Sequence, residues 1–200
     1  MQTYYLTKET RPTSCWSGGT TTELFIYPEN SEYKKRDFLF RLSTASVDTE
    51  TSGFTLLPKI RRILMVLEQD IRLQIDGTFH ALSPYEQISF SGDTPVKSYG
   101  TCRDFNLMMN GNCRGHLYGI SSSAPGFQSF SNPFPEDSSV FFVFYPPESD
   151  CTLEINGQLF FIKKQDTLIL HTEKSDAVQT VIRHAGSLVC ACISVSPIHS

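Results

Sequence analysis

One stretch of the chain occurs twice, and this repeat constrains the fold more than any other feature of the sequence. Residues 70–90 align with residues 150–170 without a gap, at an offset of 150 − 70 = 80. The identical pairs are Asp70 with Asp150, Leu73 with Leu153, Ile75 with Ile155 and Gly77 with Gly157. Each copy has alternating apolar residues, an Asp-Gly or Asn-Gly turn and a second alternating run, a pattern typical of a β-hairpin. The sequence therefore predicts two copies of one β-structure.

The remaining segments also predict strands, because they are short, rich in β-branched and aromatic residues, and show no helical period. They cover residues 16–28, 38–47, 60–68, 96–99, 102–109, 140–145, 177–184 and 188–195. Residues 119–139 are rich in Ser, Pro, Gly and Phe and predict a long connecting loop. We expect an all-β fold, a sandwich or barrel built twice, with lobe one at about 1–115 and lobe two at about 140–200, forming one unit over residues 1–200.

Composition narrows the expected partners and compartment. The chain has 17 basic and 21 acidic residues and a net charge of −4, without a basic cluster, so we expect neither nucleic acid nor membrane as a partner. The start of the sequence does not have the pattern of a signal peptide, and no apolar run approaches the ~18 residues of a membrane helix, which favours a cytoplasmic protein. The six cysteines include no Cys-x-x-Cys pair and are expected to be reduced and packed in strands.

Period-two alternation places polar side chains on single faces of several predicted strands. The predicted faces are Thr21, Glu23, Phe25 and Tyr27; Arg41, Ser43 and Ala45; Arg62, Leu64 and Val66; and Asp104, Asn106 and Met108.

A set of short motifs in the first 110 residues resembles the HutD/Ves family of bacterial proteins. The motifs are Trp16 with Gly18-Gly19-x-Thr21-x-Glu23, Asp37-Phe-x-x-Arg41-x-Ser43-x-Ala45-Ser46, Gly53-Phe-Thr55 with Pro58 and Arg62, Val66-Leu-Glu68, Phe90-x-Gly92-Asp93, and Asp104-Phe-Asn-Leu-Met108. The resemblance implies an all-β, bicupin-like fold, which is a two-lobed cupin-type assembly of β-barrels. It also implies a setting in bacterial histidine utilisation, without implying a particular biochemical activity.

The chain departs from the family pattern at four positions. Lys59 and Gln69 stand where members commonly have glycine, Thr22 stands where an arginine is usual, and Phe40 replaces a tryptophan. A ligand assignment that relies on the usual arginine therefore does not carry over to this chain.

The comparison with metal-binding cupins predicts no metal and no other cofactor. Where such cupins have their His-x-His and Glu ligands, this chain has Leu56, Pro58 and Arg62, and its glycine turn is followed by Thr94-Pro95. Apolar side chains and a cation do not ligate Zn, Fe or Mn.

Five polar residues in the matching motifs interrupt strands that are otherwise compatible with an apolar interior: Glu23, Arg41, Arg62, Asp104 and Asn106. Burial of charged groups is costly unless they pair or bind a ligand, so their recurrence predicts a shared polar pocket. Such a pocket suits a small zwitterionic or acidic metabolite, since arginine binds carboxylates and a carboxylate accepts hydrogen bonds from an amine. Two other interpretations stay open: these faces are solvated, or Glu23 and Arg41 form a structural ion pair.

The two halves differ at this site. When Gly100 is aligned with Gly186, an offset of 186 − 100 = 86, Cys190 and Cys192 stand opposite Asp104 and Asn106. The polar pair is thus missing from the second half, and we expect the site in the first lobe.

The leading functional hypothesis is a metal-free, non-enzymatic protein that binds a small molecule and is linked to regulation of histidine catabolism. The rival is a metal-independent isomerase or hydrolase with Glu23 or Asp104 as general base and Arg41 holding an oxyanion. A structural or protein-interaction module is the third possibility. The oligomeric state is open, and a homodimer is one state that the sequence permits.

Overall fold

The computed structural model describes residues 1–120, 129–130, 133–134, 139–173 and 178–196. Apart from a 3-10 turn at Lys8–Thr10, the regular elements of these residues are strands. They form two compact units, a continuous unit of Arg11–Cys113 and a split unit of Met1–Thr10 with Arg114–Ser200. The all-β class is therefore confirmed. No helix among the described residues has the length and apolarity needed to cross a bilayer.

The continuous unit is built from two antiparallel sheets. Its strands are β2 (Thr13–Trp16), β3 (Gly19–Tyr27), β4 (Phe40–Val47), β5 (Thr51–Gly53), β6 (Arg61–Glu68), β7 (Ile71–Ile75), β8 (Thr78–Leu82), β9 (Gln87–Ser91), β10 (Val96–Tyr99) and β11 (Cys102–Met109). The six-stranded sheet has the order β2-β3-β4-β11-β6-β9, and the four-stranded sheet has the order β5-β10-β7-β8. A cluster of buried apolar residues joins them, with Leu64 and Phe90 from the larger sheet and Leu73 and Val96 from the smaller.

The split unit also consists of two sheets. Its strands are β1 (Gln2–Leu6), β12 (Cys113–Ile120), β13 (Ser129–Phe130), β14 (Val140–Tyr145), β15 (Cys151–Ile155), β16 (Gln158–Ile162), β17 (Thr167–Thr172), β18 (Thr180–His184) and β19 (Leu188–Val195). Their orders are β1-β17-β14-β19-β12 and β13-β18-β15-β16.

Two boundaries differ from those expected from the sequence. The first ten residues do not join the first lobe, because β1 pairs antiparallel with β17, from Gln2 opposite His171 to Leu6 opposite Thr167. Part of the expected connection at residues 119–139 is strand, since β12 extends to Ile120 and β13 covers Ser129–Phe130. Residues 121–128, 131–132 and 135–138 of that connection, and residue 177 of a predicted strand, lie outside the described residues.

The two predicted hairpins are present at the predicted offset. Strands β7 and β8 begin at residues 71 and 78, and β15 and β16 begin at residues 151 and 158. Both turns have positive φ at both central residues, 47° and 81° at Asp76-Gly77 and 50° and 81° at Asn156-Gly157. This left-handed geometry is the reason for the Asx-Gly sequence, because it matches the right-handed twist of the strands. An origin of the two units by duplication stays an interpretation.

One predicted strand face changes partway along β3. Thr21 and Glu23 lie opposite Ala45 and Ser43, but a β-bulge between Glu23 and Phe25 shifts the pairing, so that Ile26 lies opposite Arg41. The extra residue reverses the alternation. The prediction that Phe25 and Tyr27 share a face with Glu23 is therefore wrong, and both rings instead pack on Phe40, at centroid distances of 5.8 and 5.5 Å.

Two departures from the family pattern fall on strained backbone. Lys59 and Gln69, which replace the common glycines, have φ of 66° and 65°. A side chain in this left-handed region costs roughly 1–2 kcal/mol relative to a right-handed conformation, whereas glycine has no such penalty. The usual glycines are explained by this backbone geometry alone.

Replacing Lys59 by glycine is expected to stabilise the protein by up to about 1 kcal/mol, because the relief of strain exceeds the added entropy of the unfolded chain. Lys59 is exposed, so the loss of its side chain removes no packing. Urea unfolding of wild type and variant measures the effect. Lys59→Ala is the matched control, since it removes the same side chain beyond Cβ but keeps the strain. Equal stability of the glycine and alanine variants would contradict this explanation.

Candidate functional site

The register of three neighbouring strands brings the predicted polar residues to one face of the larger sheet. In β11, Asp104 lies opposite Ala45 of β4 and Val66 of β6, and Asn106 lies opposite Ser43 and Leu64. Met108 lies between Arg41 and Arg62 in the same way. Since directly opposed residues of antiparallel strands point to the same side, the polar groups of all three strands face one way.

These side chains border a cavity of about 340 Å³ within the continuous unit. Arg41, Arg62, Asp104 and Asn106 all line it. They are 5%, 5%, 2% and 4% exposed, which contradicts the alternative that these faces are solvated. Glu23 does not line the cavity; its carboxylate contacts Arg41, which does.

Arg41 is held by a carboxylate, a hydroxyl and an aromatic ring. Its Nε donates to Glu23 Oε2 at 2.6 Å and its Nη1 donates to Ser43 Oγ at 3.2 Å. The Tyr33 ring lies 4.4 Å from its guanidinium carbon, within the range of a cation–π contact. The ion pair between Glu23 and Arg41 that the sequence left open is therefore present, and it exists beside a cavity.

Arg62 has a different environment, because no carboxylate forms an ion pair with it among the described residues. Its Nη2 donates to Asn106 Oδ1 at 3.1 Å, and its buried Nε has no hydrogen-bond partner in the described part of the chain. The rings of Phe54 and Phe90 lie 4.7 and 5.3 Å from the guanidinium carbon. Arg62 is thus a buried cation held by an amide and two aromatic rings.

Asn106 connects Arg62 to Asp104. Its Nδ2 donates to Asp104 Oδ1 at 2.6 Å while its Oδ1 accepts from Arg62. Burial raises the pKa of Asp104 to about 7, although the charge of Arg62 and hydrogen bonds from Asn106 and the Ala45 backbone oppose the shift. Burial also lowers the pKa of Arg62 to about 10, against the attraction of Asp104, so the guanidinium stays protonated at neutral pH. Asp104 is therefore a buried carboxyl that changes charge near neutrality.

Sequence reasoning missed the aromatic residues of the site. Phe54 belongs to the Gly-Phe-Thr motif, and Tyr33 is the aromatic residue of the charged loop at residues 30–37, so each offered a weak signal. Trp16 also lines the cavity, and its Nε1 donates to Thr21 Oγ1 at 3.2 Å. Period-two patterns cannot show which loop side chains cover a strand face.

The missing family arginine does not fall on the cavity face. Thr22 lies opposite Thr44, on the side of the sheet away from Glu23, and its Oγ1 is 2.9 Å from Thr13 Oγ1. Phe40, which stands where the family has a tryptophan, is fully buried on that same side of the sheet.

The split unit has an apolar interior at the corresponding positions. Its pairing gives an offset of 84 rather than 86 for β11 and β19, because Asn106 pairs with Leu64 of β6 as Cys190 pairs with Phe144 of β14, where 144 − 64 = 80 and 190 − 106 = 84. Asn106 therefore corresponds to Cys190 and Asp104 to Leu188, which corrects the predicted alignment by two residues. Phe142 corresponds to Arg62 at the offset of 80, and Phe142, Leu188 and Cys190 belong to one buried apolar cluster. The expected loss of the polar pair in this half is thus present.

Within the described residues, no group of three or more His, Cys, Asp and Glu side chains is placed to hold a metal ion.

Replacing Glu23 by glutamine is expected to destabilise the protein by about 1–3 kcal/mol, because Arg41 then keeps a buried charge without its carboxylate. Their side chains are 21% and 6% exposed, so part of the pair is screened by water. Urea unfolding measures the loss. Glu32→Gln removes an exposed ion pair with Lys35 and should change stability by less than about 0.5 kcal/mol. A similar, small effect of both substitutions would show that the Glu23 pair is not structural.

Comparisons with known proteins find a similar fold in several solved structures. The structure of a conserved protein of unknown function, PA5104, from Pseudomonas aeruginosa PAO1 is similar, at 21% identity over 98% of this chain and 100% of that chain, with a TM-score of 0.77. The structure of HutD from Pseudomonas fluorescens SBW25 is similar at 21% identity over 98% of both chains, with a TM-score of 0.71. Ylba from E. coli shares 11% identity over 99% of this chain and 93% of that one, with a TM-score of 0.66.

At these identities the likeness establishes the fold, and the expected cupin-like architecture is confirmed. No curated protein matches the sequence. The model of the HutD family matches residues 8–190. This match covers most of the chain, and the chain belongs to the HutD family.

Proposed function

We propose that this chain is a metal-free protein that binds a small acidic or zwitterionic metabolite in the cavity of its continuous unit. The single observation that supports this best is Arg62, a buried, protonated guanidinium that lines the cavity without an ion-pair partner among the described residues. Burial of an unpaired charge is costly, and a ligand carboxylate would supply the missing partner.

The rest of the site defines the kind of ligand. Arg41 is already paired with Glu23, so Arg62 is the cation with unused donors. Asp104 and Asn106 supply acceptors for an ammonium or amide group of a zwitterion. The cavity of about 340 Å³ lies at the small end of the ~300–1,000 Å³ range of small-molecule sites. These features favour a compact metabolite that carries one carboxylate near an uncharged or amino group.

Membership of the HutD family supports a place for this binding in histidine utilisation. A protein that binds an acidic intermediate without converting it reports the concentration of that intermediate. We therefore propose a regulatory role in histidine catabolism, in the cytoplasm, where these intermediates are formed and consumed.

Asp104 favours a second candidate, a metal-independent isomerase or hydrolase. A carboxyl with a pKa of about 7 in a cavity can accept and return a proton at neutral pH, and Arg62 beside it can stabilise a developing oxyanion. Glu23 is less suited to be the base, because its carboxylate is engaged by Arg41 at 2.6 Å.

Ligand binding is tested by thermal unfolding in the presence of histidine, urocanate, formiminoglutamate and formylglutamate. A ligand at a hundred times its dissociation constant should stabilise the protein by about 2.7 kcal/mol. Arg62→Gln should abolish the stabilisation, because the amide cannot replace the charged donor. Arg61→Gln is the matched control, since Arg61 is the exposed neighbour on the same strand. If no compound acts on wild type, or if both variants respond like wild type, the proposal fails.

The catalytic candidate predicts conversion of one of these compounds by purified protein in the presence of EDTA. Product is followed by NMR of the reaction mixture. Asp104→Asn should abolish turnover while leaving stabilisation by acidic ligands without an ammonium group in place, because Arg62 is unchanged and the amide keeps the size of the carboxyl but cannot act as a base. Binding without turnover would exclude this candidate.

A further inference from the structure

We propose that Asp104 adjusts the charge of the site to the charge of the ligand. It takes up one proton from solvent when a monocarboxylate binds beside Arg62, and it stays ionised when a zwitterion binds. This inference rests on the proposed carboxylate site. It adds a specificity-determining residue and a proton balance, neither of which follows from binding alone.

The geometry couples the two groups through one amide. Asn106 accepts from Arg62 at 3.1 Å and donates to Asp104 at 2.6 Å, so the guanidinium and the carboxyl share a partner without a direct ion pair. A carboxylate that binds to Arg62 therefore enters a cluster that already contains Asp104. Two carboxylates at close range in a buried site repel each other, which raises the pKa of one of them and favours its protonation.

The other titratable and charged groups around Asp104 do not change their ionisation when a ligand carboxylate binds. Glu23 is engaged by Arg41 at 2.6 Å, so that pair contributes no net charge. Burial raises the pKa of the Cys102 thiol to about 12, and the charge of Asp104 adds to that shift, so this neighbour on β11 stays neutral. Asp104 is left as the group whose ionisation can change.

The opposed and covering residues are uncharged at neutral pH. Ala45 and Val66 flank Asp104 on the neighbouring strands. The lining residues from β2 and from the segment after β5 include Trp16 and Phe54, and the loop at residues 30–37 contributes the ring of Tyr33. None of them can compensate an additional negative charge.

The charge balance then separates two ligand classes. With Asp104 ionised, Glu23, Arg41, Arg62 and Asp104 sum to zero. A monocarboxylate would leave a net charge of −1 in the buried cluster, and one proton on Asp104 restores neutrality. A zwitterion adds no net charge, and its ammonium group is attracted by an ionised Asp104, so no proton is taken up.

The pKa of Asp104 makes the uptake of a proton feasible. Burial already raises its pKa to about 7, so protonation costs little at neutral pH. A bound anion would raise that pKa further, because it offsets the attraction of Arg62 for the ionised form. Affinity for a monocarboxylate should therefore be constant well below the pKa of the free site and decrease as pH rises above it.

The test uses acetate and its uncharged analogue acetamide, followed by NMR titration of the full chain at several pH values. Above about pH 7, the dissociation constant of acetate should rise about tenfold per pH unit, as expected for uptake of one proton. Acetate itself is ionised throughout this range. Acetamide should show no such dependence. The ¹³C carboxyl signal of Asp104 should titrate at a higher pH when acetate is present.

Two variants separate this inference from the proposed function. Asp104→Asn should bind acetate with an affinity that no longer depends on pH, while Asp76→Asn, which removes an exposed carboxylate in a turn that accepts asparagine, should keep the dependence of wild type. Acetate binding at the Arg62 signals without any pH dependence in wild type would overturn the role of Asp104 and leave the carboxylate site intact. No acetate binding to the cavity at any pH would overturn both.

Discussion

The site depends on the buried chain of hydrogen bonds from Arg62 through Asn106 to Asp104. Each member alone would be costly in the interior of a β-sheet unit, since a buried polar group without a partner loses its hydration without compensation. The antiparallel register of β6 and β11 makes the chain possible, because it places the three side chains on one face and within reach of each other. The cavity lies on that face.

The contrast between the two units explains why the cavity is found where it is. Each has one Asx-Gly hairpin with the same turn geometry and a buried apolar cluster between two sheets. In the split unit, Phe142, Leu188 and Cys190 complete that cluster, whereas the continuous unit has Arg62, Asp104 and Asn106 at the corresponding positions. Guanidinium and carboxyl groups cannot close an apolar core, so one unit has a polar cavity where the other has members of a buried apolar cluster.

The two arginines of the cavity are not equivalent, and the difference defines the chemistry of the site. Arg41 is satisfied by a carboxylate, a hydroxyl and the Tyr33 ring, so it is part of the wall. Arg62 is placed by Phe54 and Phe90 and keeps unused donors. A rigid cation of this kind is preorganised for a planar anion, because the protein has already met the cost of ordering it. The nearby carboxyl then balances the charge that such an anion brings.

Much of this architecture was determined by the sequence itself. Alternation and the repeated Asx-Gly turns specify strands and hairpins locally, and the same alternation predicted that Arg41, Arg62, Asp104 and Asn106 would lie on strand faces together. The tertiary structure decided what no local period contains. A bulge after Glu23 reversed the face of Phe25 and Tyr27, β1 paired with a strand more than 160 residues away, at Gln2 opposite His171, and loop rings covered the two guanidinium groups. These features arise from pairing and packing between distant segments, which set the register, the burial and hence the ionisation of Asp104.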